Sequence, residues 1–400
     1  MGHQVVGIAD EPALSGLLAG RAPVHEPGLD ALLDQMIKSG RLHFTKSYTE
    51  GLRGADFAFL SIDTPVGADD DSDLGPIWHA VDEIAAAGPD GLIVIVTSQV
   101  PVGTSDQIAK ELSSRMKVAY VPEFLRLSTA LDTFKRADRF VIGADDPKVA
   151  ARVAEIYMPL RRPIHITDIR SAEMGKHASN AWLATSVSFI NQIADLCEQL
   201  GADVREVATI MKLDARVGPH AFLGAGLGYA GGTLGREIRA LQKLGGAHGV
   251  STELFDAVDE VNSHRIGHLM TRLKSMQPEL RDVPIAVFGL TYKAGTSTLR
   301  RSASLTLITE LAAAGARVSA YDPLAQLDEG TDLPRFTMHR DPAAAAKGAF
   351  ALILMAPWPE GLAKSQAAQV MARPVVLDAG NHLDRVAAAE AGLEYHGIGR

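Results

Sequence analysis

The sequence predicts an α/β protein with two doubly wound lobes joined by a helical middle segment. Three observations predict this architecture. Short β-branched runs alternate with helical patterns through the first 165 residues, and the same alternation resumes at Val283. Between these regions, residues 170–200 form one helical pattern without proline. Such alternation is typical of mostly parallel sheets that carry helices on both faces.

The N-terminal lobe is predicted to span residues 1–165 and to contain five buried strands. Each strand is an apolar run of strand length bounded by polar or helical segments. The five runs are "HQVVGIAD", "FAFLSI", "GLIVIVTS", "KVAYV" and "RFVIGA". The sequence opens directly in the first run, with no Gly-x-Gly-x-x-Gly turn ahead of it. We therefore expect a lobe truncated at its first strand, which leaves an exposed sheet edge.

The middle segment is predicted to form a helical domain over residues 166–278. Apolar residues occupy more than one face of its 170–200 helix, which indicates burial on more than one side, against a lobe or a second subunit. Trp182 is expected in the core. Shorter helices are predicted at 202–212, 236–245 and 253–274.

The C-terminal lobe is predicted over residues 279–400, again as a doubly wound unit. A helix is expected at 302–314. Buried strands are predicted in "VPIAVFGLTYK", "ARVSAYDPLA", "FALILMAPW" and "PVVLDAGN". The order of strands and helices indicates a second parallel sheet.

The composition excludes several classes of function. A net charge of −9 argues against nucleic acid as a partner, because phosphate binding requires a cationic face. The single cysteine, Cys197, excludes an internal disulfide and a cysteine-based zinc site, and we predict no metal. No apolar run reaches the roughly 18 residues of a membrane span, and "MGHQVVGIADEPA" carries no secretory signal. We therefore expect a soluble, cytoplasmic protein.

A glycine-rich loop, "GLGYAGGTLGREIRAL" at residues 226–241, is the first candidate site. Glycines at this density indicate close approach of the backbone to a ligand, or positive φ angles. At the point where such a loop often carries a reactive side chain, this one offers Thr233, a residue type that is more often a turn hydroxyl than a nucleophile. Glu237 is the nearest candidate for an activating base. The loop is thus either an active-site loop without a nucleophile or a loop that serves other chemistry.

Motifs along nearly the whole chain resemble those of the UDP-glucose/GDP-mannose dehydrogenase family. In order they are "HEPGLDALL", "DTP", "VPVGT", "PEFLR", the segment from "TDIRSAEMGKHASNAW" to "CEQLGAD", "RVGPHAFLGAGLGYAGG", "FGLTYKAGTSTLRRSAS", "AYDP" and the terminal "YHGIGR". The resemblance implies Rossmann-like lobes and a homodimer built across the long helix. It also implies oxidation of the primary alcohol of a nucleotide sugar to a carboxylate by two NAD molecules. In that reaction a cysteine thiolate captures the intermediate aldehyde.

The resemblance assigns roles on the substrate side of the site. Lys176 and Asn180, one helical turn apart, match residues that stabilise the developing alkoxide and position a water. Glu123 matches an acid/base carboxylate, although it could instead cap a helix. Thr233 and Glu237 stand at the family's cysteine and aspartate positions and complete the predicted catalytic set. The predicted substrate-binding residues are Phe124, Leu125, Arg126, Arg216, Gly226, Gly228, Tyr229, Gly231 and Lys293. By the same resemblance, Arg216 reaches the sugar nucleotide of a neighbouring subunit.

The cofactor side departs from the family pattern. Thr233 replaces the catalytic cysteine, and Cys197, in the central helix, cannot stand in for it. The position of the acid that closes the first strand of the dinucleotide site is Ala9, with Asp10 beside it. The predicted cofactor contacts that remain are Thr64, Arg300 and Arg236, the last in place of a lysine. These losses predict either no cofactor or a vestigial NAD site.

Three hypotheses on function follow. The first is a redox-neutral enzyme, of dehydratase or lyase type, that acts on a nucleotide sugar or nucleoside with Lys176 or Glu123 as the base. The second is a non-catalytic sugar-nucleotide binder that partners an active relative. The third is an NAD-dependent dehydrogenase whose true start lies upstream of Met1. We favour the first. The sugar, the base and the carbon attacked stay open.

Overall fold

The structure is a computed structural model. It describes residues 2–64, 72–126, 128–230, 233–291, 297, 299, 302–326, 333–357 and 366–400. The chain divides into two compact units, Met1–Ser179 and Asn180–Arg400. The predicted α/β class, with parallel sheets and a helical middle, is confirmed. The division into three domains at 165 and 278 stays a prediction.

The first unit contains two separate sheets. A two-stranded sheet pairs β1 with β2, and a five-stranded sheet has the order β3-β4-β5-β6-β7. The strands are β1 (Val5–Ile8), β2 (Leu42–Thr45), β3 (Phe57–Leu60), β4 (Ile93–Val96), β5 (Lys117–Tyr120), β6 (Phe140–Gly143) and β7 (Ile164–Thr167). The helices are α1 (Ala13–Leu18), α2 (Leu29–Lys38), α3 (Tyr48–Gly51), α4 (Gly75–Ala87), α5 (Thr104–Glu111), α6 (Ala130–Lys135) and α7 (Pro147–Tyr157), with a 3₁₀ turn at Met158–Leu160.

One predicted pairing is wrong: β6 runs antiparallel to β5, which it meets at Tyr120 and Gly143. The connection contains only α6, whose six residues span about 9 Å. A helix of that length does not carry the chain back along a sheet, as a parallel crossover requires. The remaining paired strands of this unit are parallel. The pairings of β3 with β4 and of β4 with β5 join predicted strands, whereas β2 and β7 were not predicted.

The long helix α8 (Ile169–Leu200) is confirmed, and its apolar residues lie on two faces. One face is buried and includes Ile190, Ala194 and Cys197. Trp182 was expected in the core, but it is 70% exposed and lies on another face with Phe189. The apolar pattern on two faces of α8 therefore has two origins. One face packs against other residues of the chain, and the other face is exposed on the surface of the chain.

The second unit begins within α8 and continues through α9 (Val204–Leu213), α10 (Leu234–Ala247), α11 (Glu253–Ser263) and α12 (Arg265–Met276). The predicted 253–274 helix is thus two helices that break at His264. Asn262, Ser263 and His264 all have low helix propensity, which favours the break there.

The C-terminal sheet of this unit has six parallel strands in the order β10-β9-β8-β11-β12-β13. The strands are β8 (Pro284–Phe288), β9 (Arg317–Tyr321), β10 (Thr337–His339), β11 (Ala351–Leu354), β12 (Val375–Asp378) and β13 (Glu394–Gly397). The helices are α13 (Ala303–Ala313), α14 (Pro342–Ala346), α15 (Ala367–Val370) and α16 (Arg385–Glu390). The order reverses between β8 and β11, which is the switch point where doubly wound sheets bind ligands. Within the described ranges, no helix is long and apolar enough to cross a membrane.

Candidate functional site

Lys176 is the best-defined group of the site in the first unit. It lies on α8 and is 6% exposed. Its Nζ donates a hydrogen bond to the backbone carbonyl oxygen of Glu123. The same Nζ lies 4.7 Å from the centroid of the Phe124 ring, a cation–π distance. The carbonyl and the ring therefore hold the Lys176 amino group in place, and its catalytic role stays a prediction.

A cavity of about 250 Å³ opens beside Lys176. Its lining is Pro122, Phe124, Arg139, Val141, His165, Thr167, Ser171, Ala172, Gly175, Lys176 and Ser179. The Arg139 guanidinium carbon lies 4.5 Å from the Phe124 ring centroid, so two cations contact one ring. The described part of the lining includes both cations and no carboxylate. The cavity therefore favours an anionic ligand.

The carboxylate of Glu123 is engaged in its own loop. Its Oε2 accepts a 2.6 Å hydrogen bond from the backbone N–H of Leu125, and the residue is exposed. The next helix, α6, begins only at Ala130, so Glu123 does not cap it. Leu125 and Arg126 are exposed, whereas Phe124 is half-buried under the cations. Glu123 thus positions Lys176 through its backbone oxygen and holds the turn with its side chain.

Two buried carboxylates that sequence reasoning missed shape this region. Glu173, fully buried on α8, accepts hydrogen bonds from the N–H groups of Gly103 (2.6 Å) and Ser105 (3.0 Å) at the start of α5. Glu26 accepts from the N–H groups of Ser128 (2.8 Å) and Ala130 (2.7 Å). The one signal in the sequence concerns Glu173, which is a charged residue in a largely apolar helix. Both carboxylates bind backbone far away in the sequence, which spacing does not reveal.

The His177 side chain contacts backbone rather than the cavity. Its Nε2 lies 2.9 Å from the backbone oxygen of Val100, and the side chain is buried. Asn180 follows Lys176 by one turn of α8, and it is 7% exposed. Its Nδ2 has no hydrogen-bond partner among the described residues. Buried polar groups are rarely left without a partner, so this amide is available to a ligand or water.

In the second unit, side chains from three helices hold the glycine loop. The Gly226 N–H donates to Asn191 Oδ1 (2.7 Å), and the Tyr229 N–H donates to Asn262 Oδ1 (2.8 Å). Arg265, paired with Asp195 at 2.7 Å, donates through Nε to the Gly226 carbonyl. These polar residues lie on α8, α11 and α12 and were missed from sequence. The loop is therefore rigidly positioned.

Gly228 and Tyr229 show why the loop has its sequence. Gly228 has a φ of +83°, and a Cβ there would lie 2.1 Å from Asn262 Oδ1, so only glycine fits. The Tyr229 hydroxyl is buried without a partner among the described residues. Burial raises the pKa of Tyr229 above its ordinary value, so the hydroxyl is a neutral donor near pH 7. The spacing of Gly226, Gly228 and Gly231 matches a dinucleotide turn, but the loop does not follow a strand within the described ranges, so that context fails.

The remaining predicted catalytic residues of this unit, Thr233 and Glu237, lie at the N-terminal end of α10. Thr233 precedes the helix, is exposed, and accepts the Glu237 N–H through its backbone oxygen at 3.1 Å. Glu237 is 1% exposed and Arg236 is 9% exposed. The structure thus places Glu237 one turn from Thr233, in a buried position.

Some predicted contacts lie elsewhere or outside the description. Arg216 is exposed and paired with Asp214, with an Nη2–Oδ2 distance of 2.6 Å. Gly231, Lys293 and Arg300 lie outside the described residues.

Three domain models of one protein family match successive segments of the chain. Residues 1–161 match the NAD-binding domain of the UDP-glucose/GDP-mannose dehydrogenase family, residues 170–264 its central domain and residues 286–385 its UDP-binding domain. The UDP-glucose 6-dehydrogenase YwqF of Bacillus subtilis (strain 168) is 36% identical over 413 residues, which cover 100% of this chain and 93% of the relative. A UDP-glucose 6-dehydrogenase of Rhizobium meliloti (strain 1021) is also 36% identical, with 100% and 94% covered. Among solved structures, a UDP-glucose dehydrogenase from Pyrobaculum islandicum matches with a TM-score of 0.88 and 31% identity, over 100% of this chain and 92% of that one.

These matches correct the expectation on the cofactor. An absent or vestigial NAD was predicted from the lost cysteine and glycine turn. That expectation is wrong, because residues 1–161 match an NAD-binding domain and the relatives named above are dehydrogenases. Departures from the family pattern at individual NAD contacts therefore do not show that the domain has lost NAD binding.

The described residues fit one end of NAD better than its centre. Asp10 is exposed just after β1, where a carboxylate can meet a ribose. The Thr64 hydroxyl donates to the Gln99 carbonyl at 3.1 Å and so ties the ends of β3 and β4 together. A pyrophosphate needs N–H groups at a helix N-terminus, but Glu173 already binds those of α5. The described part of the first unit has no Gly-x-Gly-x-x-Gly turn.

Proposed function

The chain belongs to the UDP-glucose/GDP-mannose dehydrogenase family, and on that premise we propose that it oxidises the primary alcohol of a nucleotide sugar to an aldehyde and stops there. UDP-glucose is the substrate proposed first, because the most similar relatives named above are UDP-glucose 6-dehydrogenases. The observation that carries the proposal is Thr233, which stands where the family's reaction uses a thiol.

The chemistry of the hydroxyl explains the early stop. A thiol has a pKa near 8.5, so an accessible fraction is thiolate near neutral pH, whereas an aliphatic hydroxyl is not ionised there. Thr233 is exposed, in the first turn of α10, and the hydroxyl cannot capture an aldehyde as thiolate does. Without that adduct the second oxidation is not set up. NAD supplies the hydride acceptor for this family, so we expect one NAD to be reduced per sugar.

The chain's own residues support the first oxidation. Lys176, held by the Glu123 carbonyl and the Phe124 ring, offers a fixed positive charge to a developing alkoxide. Asn180 offers a buried amide N–H group one turn further along α8. The glycine loop offers backbone and the Tyr229 hydroxyl to the sugar.

The redox-neutral hypothesis has no support from the relatives, since those named above are dehydrogenases. It would require sugar turnover without any NADH. The non-catalytic binder would require sugar binding without turnover. An assay that follows sugar turnover and NADH formation together therefore distinguishes both hypotheses from the proposal.

We also propose a homodimer built across α8. Trp182, Phe189 and Leu196 recur every seven residues on this helix and are 70%, 45% and 55% exposed. An aligned apolar stripe of this kind is typical of a protein interface. The exposed Arg216 is proposed to reach the sugar nucleotide of the neighbouring subunit in that dimer.

The experiment that tests the function follows UDP-glucose and NADH together. The protein is incubated with NAD and UDP-glucose, and the sugar nucleotides are identified by mass spectrometry. We expect a UDP-linked aldehyde, and a loss of about 10²–10³-fold in kcat for Lys176→Ala. The control is Lys110→Ala on α5, an exposed lysine in the same unit, which should keep full activity. Activity that is unchanged in Lys176→Ala would remove Lys176 from the mechanism.

A further inference from the structure

The first turns of α8 carry three polar side chains that bind one segment of the chain, residues 100–106. These side chains belong to Arg170, Glu173 and His177. Their spacing of three and four residues places them along one face of the helix. The segment that they bind follows β4 and includes the first residues of α5. We call the three side chains the α8 clamp.

The two ends of the α8 clamp hold the two ends of this segment. The Arg170 Nε donates a hydrogen bond to Asp106 Oδ2 at 2.6 Å. Two turns further along the helix, the His177 Nε2 lies 2.9 Å from the backbone oxygen of Val100. The contacts thus follow one another along α8 in the reverse of their order in the segment. A slide or a rotation of α8 would break both contacts together.

Glu173 is the buried centre of the α8 clamp, with an exposed fraction of 0%. Its two carboxylate oxygens accept hydrogen bonds from the N–H groups of Gly103 (2.6 Å) and Ser105 (3.0 Å). These N–H groups lie at the N-terminus of α5, where the helix dipole favours a negative charge. Charge-assisted hydrogen bonds of this kind are strong and directional. The carboxylate, and the helix turn that carries it, are therefore held in one position.

Stability alone does not account for a carboxylate at this point. A buried charged group adds little net stability compared with a well-packed apolar side chain of similar volume. It does require one geometry, however, because a displaced carboxylate would lose both hydrogen bonds and stay buried. The feature that Glu173 provides is therefore a defined register between α8 and the start of α5.

Lys176 lies between Glu173 and His177 on the same two turns of α8. Its Nζ donates to the Glu123 carbonyl and lies 4.7 Å from the centroid of the Phe124 ring. Both partners belong to a loop other than the clamped segment. Successive helix residues are rotated by about 100°, so Lys176 is directed to a different side of α8 from His177. By fixing the rotation of α8, the clamp fixes the direction of the Lys176 side chain.

We propose that Glu173 is a positioning residue for the sugar oxidation. Through the N–H groups of Gly103 and Ser105, it holds α8 in the register that brings the Lys176 amino group to the reacting hydroxyl. Glu173 itself transfers no proton, because its carboxylate is fully buried and both oxygens are engaged. This inference rests on the role of Lys176 in the proposed function, whereas the clamp itself rests on the contacts of α8.

Competitive labelling of lysines with acetic anhydride, read by mass spectrometry, measures the position of Lys176 without turnover. In the parent, Lys176 should react slowly, because it is 6% exposed. Glu173→Gln sets an NH₂ group against an N–H donor and so opens the clamp. We expect Lys176 to react at least tenfold faster in this variant, relative to the exposed Lys148 of α7 in the same sample. Glu111→Gln, an exposed position at the other end of α5, is the matched control and should leave the rate unchanged.

Steady-state kinetics test whether this position matters for the reaction. We expect Glu173→Gln to lower kcat for UDP-glucose oxidation at least tenfold and to keep KM within about twofold, because a misplaced Lys176 weakens the transition state more than sugar binding. Unchanged labelling of Lys176 overturns the proposal, and so does faster labelling with unchanged kcat. A parent that forms no NADH would reject the proposed function, while the labelling would still decide whether Glu173 positions Lys176.

Arg170→Gln tests the α8 clamp from its exposed end if Glu173→Gln does not fold. The Arg170 side chain is 74% exposed, so its replacement should leave the fold intact. An exposed ion pair contributes little, so we expect Lys176 to react only about twofold faster than in the parent. An unchanged rate in this variant would overturn the proposal.

Discussion

The proposed function makes the extent of oxidation depend on Thr233. Replacing it with cysteine places a thiol at the family's position, on an exposed first turn of α10. We expect Thr233→Cys to raise the NADH formed per sugar from about one toward two and to yield some carboxylate product. Thr233→Ser, which keeps a hydroxyl and introduces no thiol, is the matched control. Its ratio of NADH formed per sugar should stay at one. A ratio of one in the cysteine variant would show that other residues also block the second step.

Gly228 holds the glycine loop in a conformation that a side chain would disturb. Gly228→Ala forces a Cβ at a φ of +83° to within 2.1 Å of Asn262 Oδ1. The left-handed conformation alone costs about 1–3 kcal/mol. We therefore expect calorimetry to show UDP-glucose binding weakened at least tenfold. Gly224→Ala, where a Cβ meets nothing within 4 Å, is the control in the same loop and should bind normally. Equal binding by both variants would argue against a role of this loop in holding the sugar.

At this scale, sequence patterns marked candidate side chains of the site and missed the groups that position them. Lys176 and the loop glycines were proposed because motifs and glycine density mark them, and their roles stay predictions. Glu173 and Asn262 were missed because each binds backbone N–H groups at least 33 residues away in sequence. Local spacing carries no information on such contacts.

Among the elements, α8 is tied to α12 and the C-terminus through Glu198. Burial acts to raise the pKa of Glu198, but hydrogen bonds from His268 and the Gly399 N–H, with the charge of Arg272, lower it below 4.5 overall. A carboxylate with a lowered folded pKa adds stability above its unfolded pKa, and that stability is lost as pH falls through the folded value. We expect Glu198→Gln to lower the unfolding free energy at pH 7 by about 2 kcal/mol.

Chemical denaturation from pH 7 to pH 3 measures this effect. The difference between the variant and the parent should begin to shrink as the pH falls below the ordinary pKa of a glutamate, and it should be lost as the pH falls through the lowered folded pKa, where the parent carboxylate becomes protonated. Glu155→Gln, on α7 in the first unit, provides a comparison outside this cluster. A difference that stays constant down to pH 3 would mean that packing, not charge, sets the cost.

The strands that the sequence predicted and those it missed differ in position. Every predicted strand is a run dominated by apolar residues, such as β4 and β11, which are buried throughout. The four missed strands, β2, β7, β10 and β13, all lie at sheet edges. Edge strands face solvent and carry polar residues, as "IHIT" and "EYHG" show, so they lack an apolar signal. The antiparallel turn into β6 was also invisible, because residue pattern does not encode strand direction.

For the whole molecule, the dimer proposal depends on the apolar stripe of α8. We expect light scattering to give twice the 42.5 kDa chain mass for the parent protein and a shift toward the single-chain mass for Trp182→Glu, since a charge in an apolar interface is costly. Trp182 is 70% exposed, so the substitution should leave the fold intact. Val386→Glu, at a 65% exposed position on α16, is the control and should stay dimeric. A monomeric parent would reject the dimer.

The central claim is a single oxidation of a nucleotide sugar, and its most direct measurement is the ratio of NADH formed to UDP-glucose consumed. The reaction is run to completion with NAD in excess, and hydroxylamine is added only afterwards to derivatise any aldehyde. We predict a ratio of one, with the sugar recovered as an oxime. A ratio of two with a carboxylate product would contradict the early stop, and consumption of sugar with no NADH would contradict oxidation itself.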